Sequence, residues 1–329
     1  MLFFNTTIDG LQLGLCYAVL ALGLYISYSI LDFSDLSVDG TFPLGGICCT
    51  IFMYRLSVPP ILAIFITFFA GMIAGAITGA LHVKFKISKL LSGIIVMTGL
   101  ISVNLALTQL LTEKGTTTTI FSYIGAGIDG LFDGKLVTAF GYKSRDYVIL
   151  AILVVFVIMS KLAIDLFLKT KLGYMLRATG DNEKIVVSLG KDVGVYKILG
   201  LSIANGFVAI SGALYSQLYS SYDNTSGSGK VVLALASVII GVAVFSNIHF
   251  IKNTTAVIFG AIVYSLCLNY LVLVDSNGIY LKLLNAVLFT LILIFNQRIM
   301  KLRSLSKPHV KHRKKVKLVG YKDVIEREN

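Results

Sequence analysis

Charged residues are scarce in this sequence. Only 14% of its 329 residues are Asp, Glu, Lys or Arg, whereas a soluble domain carries about 25%. The hydrophobic share is 56% and the mean hydropathy is +0.83, and no soluble core of this length can hide so much apolar surface from water. The composition therefore excludes disordered chains, nucleic-acid-binding modules and most soluble enzymes. It predicts an all-α, polytopic membrane protein that contacts lipid and binds no nucleic acid.

Residue types that build metal sites and disulfides are also few. The four cysteines, Cys16, Cys48, Cys49 and Cys267, all lie inside apolar runs, where cysteine behaves as a small hydrophobic residue. Their spacing suits neither a zinc site nor a disulfide framework. The four histidines are either isolated or set among lysines. We therefore expect neither a metal site nor a bound cofactor in this chain.

Long apolar runs make up most of the chain instead. A membrane-spanning helix needs about 20 mostly apolar residues, and this requirement predicts about nine membrane segments, of which the second is short. The segments are Ile8–Ile30, Thr41–Tyr54, Val58–Leu81, Leu90–Leu111, Tyr147–Leu168, Val195–Leu218, Val231–Ile248, Thr254–Val274 and Ile279–Gln297. The membrane domain is thus predicted over residues 1–297, and residues 298–329 are predicted to form a basic cytoplasmic tail.

Basic charge is concentrated in three hydrophilic stretches, a pattern that membrane insertion reads as cytoplasmic. The lysines of Lys84–Lys89 carry +3, the stretch Lys169–Lys197 carries another +3 and the tail carries +8, while the whole chain carries +12. With nine crossings, all three stretches fall on one side, opposite the polar stretch Thr112–Asp146. This arrangement predicts an N-terminus outside the cell and a C-terminus inside it.

Three carboxylates interrupt the apolar pattern just after the first segment. Asp32, Asp35 and Asp39 lie close to Gly40 and Pro43. A charge at the centre of a bilayer costs about 2.5–3.5 kcal/mol on insertion scales, and irregular backbone persists at membrane depth only where protein or water covers it. The stretch is therefore either an interfacial loop or the lining of a wet cavity beside a broken helix. In the second case Asp35 and Asp39 belong to a translocation pathway.

Two kinds of residue inside the predicted segments indicate helix contacts. Gly71, Gly75 and Gly79 are spaced four apart, which favours close packing of one helix on another.

The polar side chains within the segments are Asn104, Gln109, Asn205, Ser237 and Asn285. These five are candidates for lining a pathway, and hydrogen bonds between helices, worth about 0.6–2 kcal/mol, also explain each of them.

The hydrophilic stretch Lys171–Gly194 contains a short apolar patch. Asp181 or Asn182 can cap a short helix and Gly190 can end it. The apolar residues within Ile185–Leu189 are too few to span a membrane. The residues alone leave two alternatives open, an ordinary loop helix or a surface on which a partner protein pushes.

Three motifs together resemble the permease subunits of ATP-binding-cassette (ABC) importers. Leu172–Ala213 contains Gly-Tyr-Met-Leu-Arg-Ala-Thr-Gly-Asp-Asn, a later Leu-Gly-Lys-Asp-Val and a closing Ala-Asn-Gly-Phe-Val-Ala-Ile-Ser-Gly-Ala-Leu. Ser34–Phe42 and Lys89–Leu105 supply the other two motifs. The chain resembles the branched-chain amino acid and ribose permease superfamily, and within it the subgroup described as tryptophan/tyrosine or uncharacterised ABC transport permeases. The similarity extends over most of Leu11–Gln297.

The resemblance implies a permease subunit in a bacterial cytoplasmic membrane that forms a homodimer. It also implies two cytoplasmic ATPase subunits and an extracellular substrate-binding protein. The implied solute is small, namely an aromatic or other amino acid. The segment Arg177–Gly190 corresponds to the coupling helix that sits in a groove of the ATPase. The coupling residues implied are Arg177, Gly180, Asn182, Glu183, Ile185, Val186, Leu189 and Gly190. Because the chain has no Gly-x-x-x-x-Gly-Lys-Ser/Thr phosphate loop, it is not expected to be an enzyme, and ATP is used by the partner.

A secondary transporter or channel for a small solute is the alternative. An ion-coupled carrier places carboxylates inside its spans, where they bind ions. Asp165 is the clearest such residue, but it lies within one turn of Lys169, which indicates the membrane interface. An intramembrane enzyme is disfavoured because no group of His, Glu, Asp and Ser residues at mid-span suggests a nucleophile or a metal.

Overall fold

The computed structural model describes residues 2–111, 120–123, 130–132, 145–245, 252–274 and 283–294. Within these ranges the chain is predominantly helical. The α-helices are α1 (Leu2–Leu24), α2 (Val38–Leu56), α3 (Pro60–Val83), α4 (Lys89–Gln109), α5 (Arg145–Phe167), α6 (Lys171–Asp181), α7 (Glu183–Ser188), α8 (Val193–Leu218), α9 (Lys230–Phe245), α10 (Asn253–Val274) and α11 (Leu283–Ile294). A π-helix, Tyr25–Ile30, continues α1, and a 3₁₀ helix, Asn224–Gly227, precedes α9. The predicted tail lies outside the described residues.

Within the described ranges, seven helices are long and apolar enough to cross a membrane. Their bounds as candidate spans are Phe3–Ile30, Pro60–Val83, Lys89–Gln109, Arg145–Phe167, Val193–Leu218, Asn224–Val244 and Asn253–Leu273. The other two predicted segments correspond to α2 and α11, which do not meet both requirements. The described part of α11 is shorter than a span requires, and α2 contains Asp39 and Pro43. A polytopic helix bundle is therefore confirmed, while nine crossings remain a prediction.

A short pair of strands accompanies the bundle, and the all-α prediction did not include it. Strands β1 (Ile120–Ser122) and β2 (Ser221–Asp223) pair in antiparallel fashion, with Ser122 opposite Ser221. Tyr123, which follows β1, is fully buried. Its hydroxyl lies 2.8 Å from Thr50 Oγ1 and donates to Ser216 Oγ at 3.1 Å. The strand pair is thereby attached to the ends of α2 and α8.

Helix α8 forms the centre of the bundle and packs against α1, α2 and α3. Glycines on α3 make the closest of these contacts possible. A Cβ at Gly71 would overlap the carbonyl oxygen of Asn205, and a Cβ at Gly75 would overlap that of Leu201. The expected glycine-mediated helix packing is confirmed, and α8 is the partner helix.

Contacts along α8 give the direction of its neighbours. Ser211 near its end donates to the carbonyl oxygen of Cys16 at 2.7 Å, whereas Gly200 near its beginning lies against Leu31, so α1 runs antiparallel to α8. Helix α2 runs parallel to the second half of α8, because Asn205 contacts Asp35 just before α2, whereas Gln217, further along α8, contacts Cys49 within α2 through Nε2 and Sγ at 3.1 Å. Helix α2 therefore begins beside the middle of α8, and a non-helical turn precedes it in the chain.

The chain returns into the bundle between α8 and α9. After β2 the 3₁₀ helix reaches the first turn of α2, where a Cβ at Gly227 would overlap the carbonyl oxygen of Asp39. Val231 then packs in one core cluster with Val208 from the middle of α8. Helix α9 thus begins beside the first turn of α2, so two helix starts, those of α2 and α9, meet inside the bundle.

Candidate functional site

A buried carboxylate lies in the turn that precedes α2. Asp35 is 1% exposed, and its Oδ2 accepts a hydrogen bond from Asn205 Nδ2 of α8 at 2.7 Å. Its Oδ1 accepts from the backbone N–H of Ser37 at 2.9 Å, and the Ser37 hydroxyl donates to Asn205 Oδ1 at 3.3 Å. Three polar side chains thus satisfy one another where no water reaches them. This closed arrangement joins two of the residues predicted for the pathway.

A second carboxylate holds the start of α9. Asp39 Oδ2 accepts from the backbone N–H of Gly229 at 3.0 Å, and its Oδ1 accepts from that of Val231 at 2.8 Å. The first N–H groups of a helix have no partner within it, and an unpaired N–H is costly away from water. Asp39 therefore allows a helix to begin inside the bundle. Its side chain is half-buried, so it is not sealed off as Asp35 is.

A cation lies beside Asp39, and the sequence analysis did not single it out. Lys230 is the first residue of α9, and its Nζ donates to the Tyr17 hydroxyl at 2.6 Å. The same Nζ lies 4.4 Å from the ring centroid of Tyr17, 5.1 Å from that of Phe42 and 4.9 Å from that of Tyr215. Such contacts with aromatic faces stabilise a cation by about 2 kcal/mol or more where water is excluded. The predicted seventh segment begins at Val231 and leaves Lys230 outside it. The only sequence signal for Lys230 is that it is a lysine directly before an apolar run.

The other polar residues predicted for the pathway are dispersed. Asn104 is fully buried in α4, where its Nδ2 donates to the carbonyl oxygen of Gly40 at 3.1 Å, close to Asp39. Its Oδ1 accepts no hydrogen bond within the described part of the chain. Ser237 is bonded to its own helix, Asn285 accepts from the Tyr264 hydroxyl, and Gln109 is exposed at the end of α4. The structure therefore brings Asp35, Asp39, Asn104 and Asn205 to one region and leaves Gln109, Ser237 and Asn285 outside it.

Asp165, the residue weighed for ion coupling, is already neutralised. Its Oδ2 lies 3.3 Å from Lys161 Nζ and 3.2 Å from Lys252 Nζ, and its Oδ1 accepts from the Thr254 hydroxyl at 2.8 Å. A carboxylate with two cationic partners offers little to a passing cation. Its position near the ends of α5 and α10 agrees with an interfacial role.

The stretch Lys171–Gly194 forms a compact helical unit at the ends of the long helices. Helix α6 is capped by Thr170, whose hydroxyl accepts from the backbone N–H of Gly173 at 3.2 Å. Helix α7 is capped by Asn182, whose Oδ1 accepts from the backbone N–H of Lys184 at 3.0 Å. Gly190 has φ +68°, a conformation that glycine adopts without strain. Of the two expected caps, Asn182 rather than Asp181 caps α7, and the expected end at Gly190 is confirmed.

The unit formed by α6 and α7 contacts the helix bundle at two points. A Cβ at Gly180 would overlap the carbonyl oxygen of Ile30, so α6 lies directly against the end of the π-helix. Glu183 Oε1 and Lys197 Nζ form an ion pair of 2.7 Å between α7 and α8. Displacement of α6 and α7 would therefore act on both the first helix and the central helix.

One coupling residue predicted to face a partner faces inward instead. Val186 is fully buried, whereas Ile185 is 49%, Val187 62% and Leu189 56% exposed. A six-residue helix has fewer than two turns, so its sequence pattern does not define which face packs against the protein. The side chain of Val186 anchors α7, and the exposed apolar surface consists of Ile185, Val187 and Leu189. Arg177 and Glu183 are exposed as well.

The chain matches one family of transport proteins over most of its length. The model of the family described as "Branched-chain amino acid transport system / permease component" matches residues 6–295. The chain belongs to this permease family. It is a multi-pass membrane protein and the permease of an ABC-type importer, so the expected function is confirmed and the secondary-transporter alternative is not favoured.

Two relatives cover most of the chain. A tyrosine transport system permease protein of Clostridioides difficile (strain R20291) is 39% identical over 273 residues, which are 83% of this chain and 85% of the relative. An uncharacterised protein of Rickettsia prowazekii (strain Madrid E) is 32% identical over 290 residues, which are 87% of this chain and 96% of the relative. No solved structure matches the chain.

Proposed function

We propose that this permease imports an amino acid across the bacterial cytoplasmic membrane, driven by ATP hydrolysis on a separate ATPase subunit. The observation that carries the proposal is the unit formed by α6 and α7, which presents an apolar surface outward while being fastened to the first and central helices. A transport protein with no nucleotide-binding loop of its own needs such a contact surface. An extracellular binding protein delivers the solute, and two copies of the permease form the complete channel.

In this scheme the motion of the ATPase is transmitted to the membrane helices through contacts of α6 and α7. The ATPase groove receives Ile185, Val187 and Leu189, with Arg177 and Glu183 at the edge of the contact. Motion of the unit is passed to Ile30 through the close approach of Gly180, and to Lys197 through the ion pair with Glu183. Asn182 and Gly190 keep the geometry of α7 fixed, since they cap and end it.

The proposed orientation places α6, α7 and the basic tail in the cytoplasm and the β1–β2 pair outside. Nine crossings, seven by long helices and two by α2 and α11, are consistent with this orientation. Lys89 supports the cytoplasmic assignment of the turn before α2, because its Nζ contacts Asp32 Oδ2 at 3.3 Å and Lys89 belongs to the first basic stretch. The solute then passes beside the two internal helix starts, near Asp39.

The solute class follows from the relative with a named solute. The Clostridioides difficile protein is named for tyrosine transport, and we therefore propose an amino acid, with an aromatic one as the first candidate. A chain of ring contacts joins Tyr17, Phe42, Tyr215 and Tyr219, the first three of which surround Lys230, and these aromatic side chains support this choice.

Reconstitution tests the proposal. The permease is placed in proteoliposomes with its cognate ATPase and binding protein, and uptake of labelled L-tyrosine is measured, followed by a panel of other amino acids. We expect uptake that requires ATP and persists when a protonophore removes the proton gradient. Uptake driven by an imposed proton or sodium gradient without the ATPase would contradict the proposal and support a secondary transporter.

A further inference from the structure

Lys230 is a cation inside the bundle, and no carboxylate in the described part of the chain forms an ion pair with it. Among the described residues it forms no ion pair, and its one hydrogen bond goes to the hydroxyl of Tyr17. A lysine ammonium has three donors, so two of them remain uncommitted. Both oxygens of Asp39 are already engaged by the backbone at Gly229 and Val231.

Aromatic faces hold this ammonium without removing its charge. The rings of Tyr17, Phe42 and Tyr215 surround Nζ at 4.4–5.1 Å. Charged residues within membrane segments are costly and usually functional, and a merely structural contact at this position needs no charge. The three rings therefore stabilise the Lys230 cation and leave it able to bind an anion.

A row of aromatic rings leads from Lys230 toward the end of α8. The Phe42 and Tyr215 ring centroids are 5.4 Å apart, and those of Tyr215 and Tyr219 are 4.7 Å apart. Phe42 is fully buried, Tyr215 is half-buried and Tyr219 is 49% exposed. The row thus connects the inner cation with the end of α8 that carries the β1–β2 pair. Lys230 is itself only half-buried, so part of this residue is exposed.

We infer that Lys230 binds the carboxylate of the transported amino acid inside the membrane, and that Tyr215 and Tyr219 contact its side chain. The inference rests on the proposed function, because it names the group that recognises the solute of that importer. An uncommitted ammonium matches a carboxylate, and stacked rings match an aromatic side chain. Asp39 retains lone pairs beyond its two hydrogen bonds, which suits the ammonium group of the same amino acid.

The first test compares three variants in the complete reconstituted transporter. Lys230→Met removes the charge at similar length, Lys230→Arg keeps it, and Lys84→Met is the control because Lys84 is exposed at the end of α3. Uptake of labelled L-tyrosine is measured at saturating binding protein. We expect at least a tenfold loss for Lys230→Met, a smaller loss for Lys230→Arg and wild-type uptake for Lys84→Met. Uptake by Lys230→Met within twofold of wild type would overturn the inference.

The second test needs no variant and so does not depend on folding. Lysines of the wild-type complex are reductively methylated with and without excess L-tyrosine or tyramine, which lacks the carboxylate. Because both ligands are primary amines that consume the reagent, the labelling of Lys230 is expressed relative to that of Lys84 in the same sample, as quantified by mass spectrometry. We expect L-tyrosine to lower the Lys230/Lys84 labelling ratio several-fold and tyramine to have little effect on it. Equal protection by tyramine, or none by L-tyrosine in a complex that imports it, would refute the role of Lys230. A wild-type complex that imports no amino acid would instead refute the proposed function.

Discussion

Asn205 and Asp35, 170 positions apart in the chain, are joined by a hydrogen bond of 2.7 Å in which the amide donates to the carboxylate. The bond connects the middle of the central helix α8 with the turn that sends α2 back through the bundle. It fixes where α2 begins, and with it the position of Asp39, which holds the start of α9. One buried polar contact therefore sets the relative placement of two internal helix starts.

Loss of the Asn205 amide should destabilise the permease. In Asn205→Leu the Asp35 carboxylate keeps the backbone N–H of Ser37 but loses its side-chain donor. An unsatisfied buried polar group costs about 1–3 kcal/mol, and more when charged. We expect a clear fall in the thermal unfolding temperature of the detergent-purified protein. Gln109→Leu is the control, because Gln109 is exposed and its replacement should leave the unfolding temperature within error.

The packing of α3 on α8 leads to a prediction about a single methyl group. A Cβ at Gly75 would overlap the carbonyl oxygen of Leu201, whereas a Cβ at Gly99 would meet nothing within 4 Å. We expect Gly75→Ala to force the two helices apart and to lower the yield of monodisperse protein several-fold. Gly99→Ala should behave as wild type. Equal yields for the two variants would show that α3 and α8 are not in close contact.

Part of this architecture can be predicted from the sequence, because it depends on local pattern. Apolar runs located the helices, the glycines four apart indicated a helix contact, and Asn182 and Gly190 marked the bounds of α7. The polar stretch after the first segment indicated a break before α2. Each of these features follows from residues close together in the chain.

The remainder depends on contacts between distant residues. Nothing in the local pattern shows that Asp35 meets Asn205, or that the chain before α9 returns to Asp39. Lys230 was missed because a lysine beside an apolar run is usually placed at the membrane surface, and only the returning chain places it inside. The resemblance implies Val186 as a coupling residue. The sequence does not show that this side chain is buried, because a helix as short as α7 has no repeat that defines its buried face.

Membrane orientation is tested by reporter fusions. The three basic stretches predict a cytoplasmic C-terminus and an outside location for the polar stretch after α4. We therefore expect a reporter fused after Thr119 to be active on the outside and one fused after Asn329 to be active inside. Two fusions that report the same side would contradict the five crossings predicted between Thr119 and the C-terminus, and with them the nine-segment arrangement.

Because the Val186 side chain faces inward, a charge at this position should disrupt the fold of α7. Because Val186 is fully buried, Val186→Asp would place an unpaired carboxylate among apolar groups, which is strongly unfavourable. We expect this variant to lose the local fold of α7, seen as rapid protease cleavage within residues 181–194 while the long helices stay intact. Wild-type resistance to the protease would show that Val186 is accessible after all.

The central claim, that the exposed face of α7 transmits ATPase motion to the permease, is tested most directly by a charge at Val187. This side chain is 62% exposed, so Val187→Asp should fold and insert normally, and Val187→Ala serves as the control that keeps the surface apolar. A buried, unpaired charge weakens a protein contact strongly. The measurement is the number of amino acid molecules imported per ATP hydrolysed in reconstituted complexes. We predict at least a tenfold fall, or loss of ATPase co-purification, for Val187→Asp and wild-type values for Val187→Ala, whereas normal ATP-coupled uptake by well-inserted Val187→Asp would contradict the account.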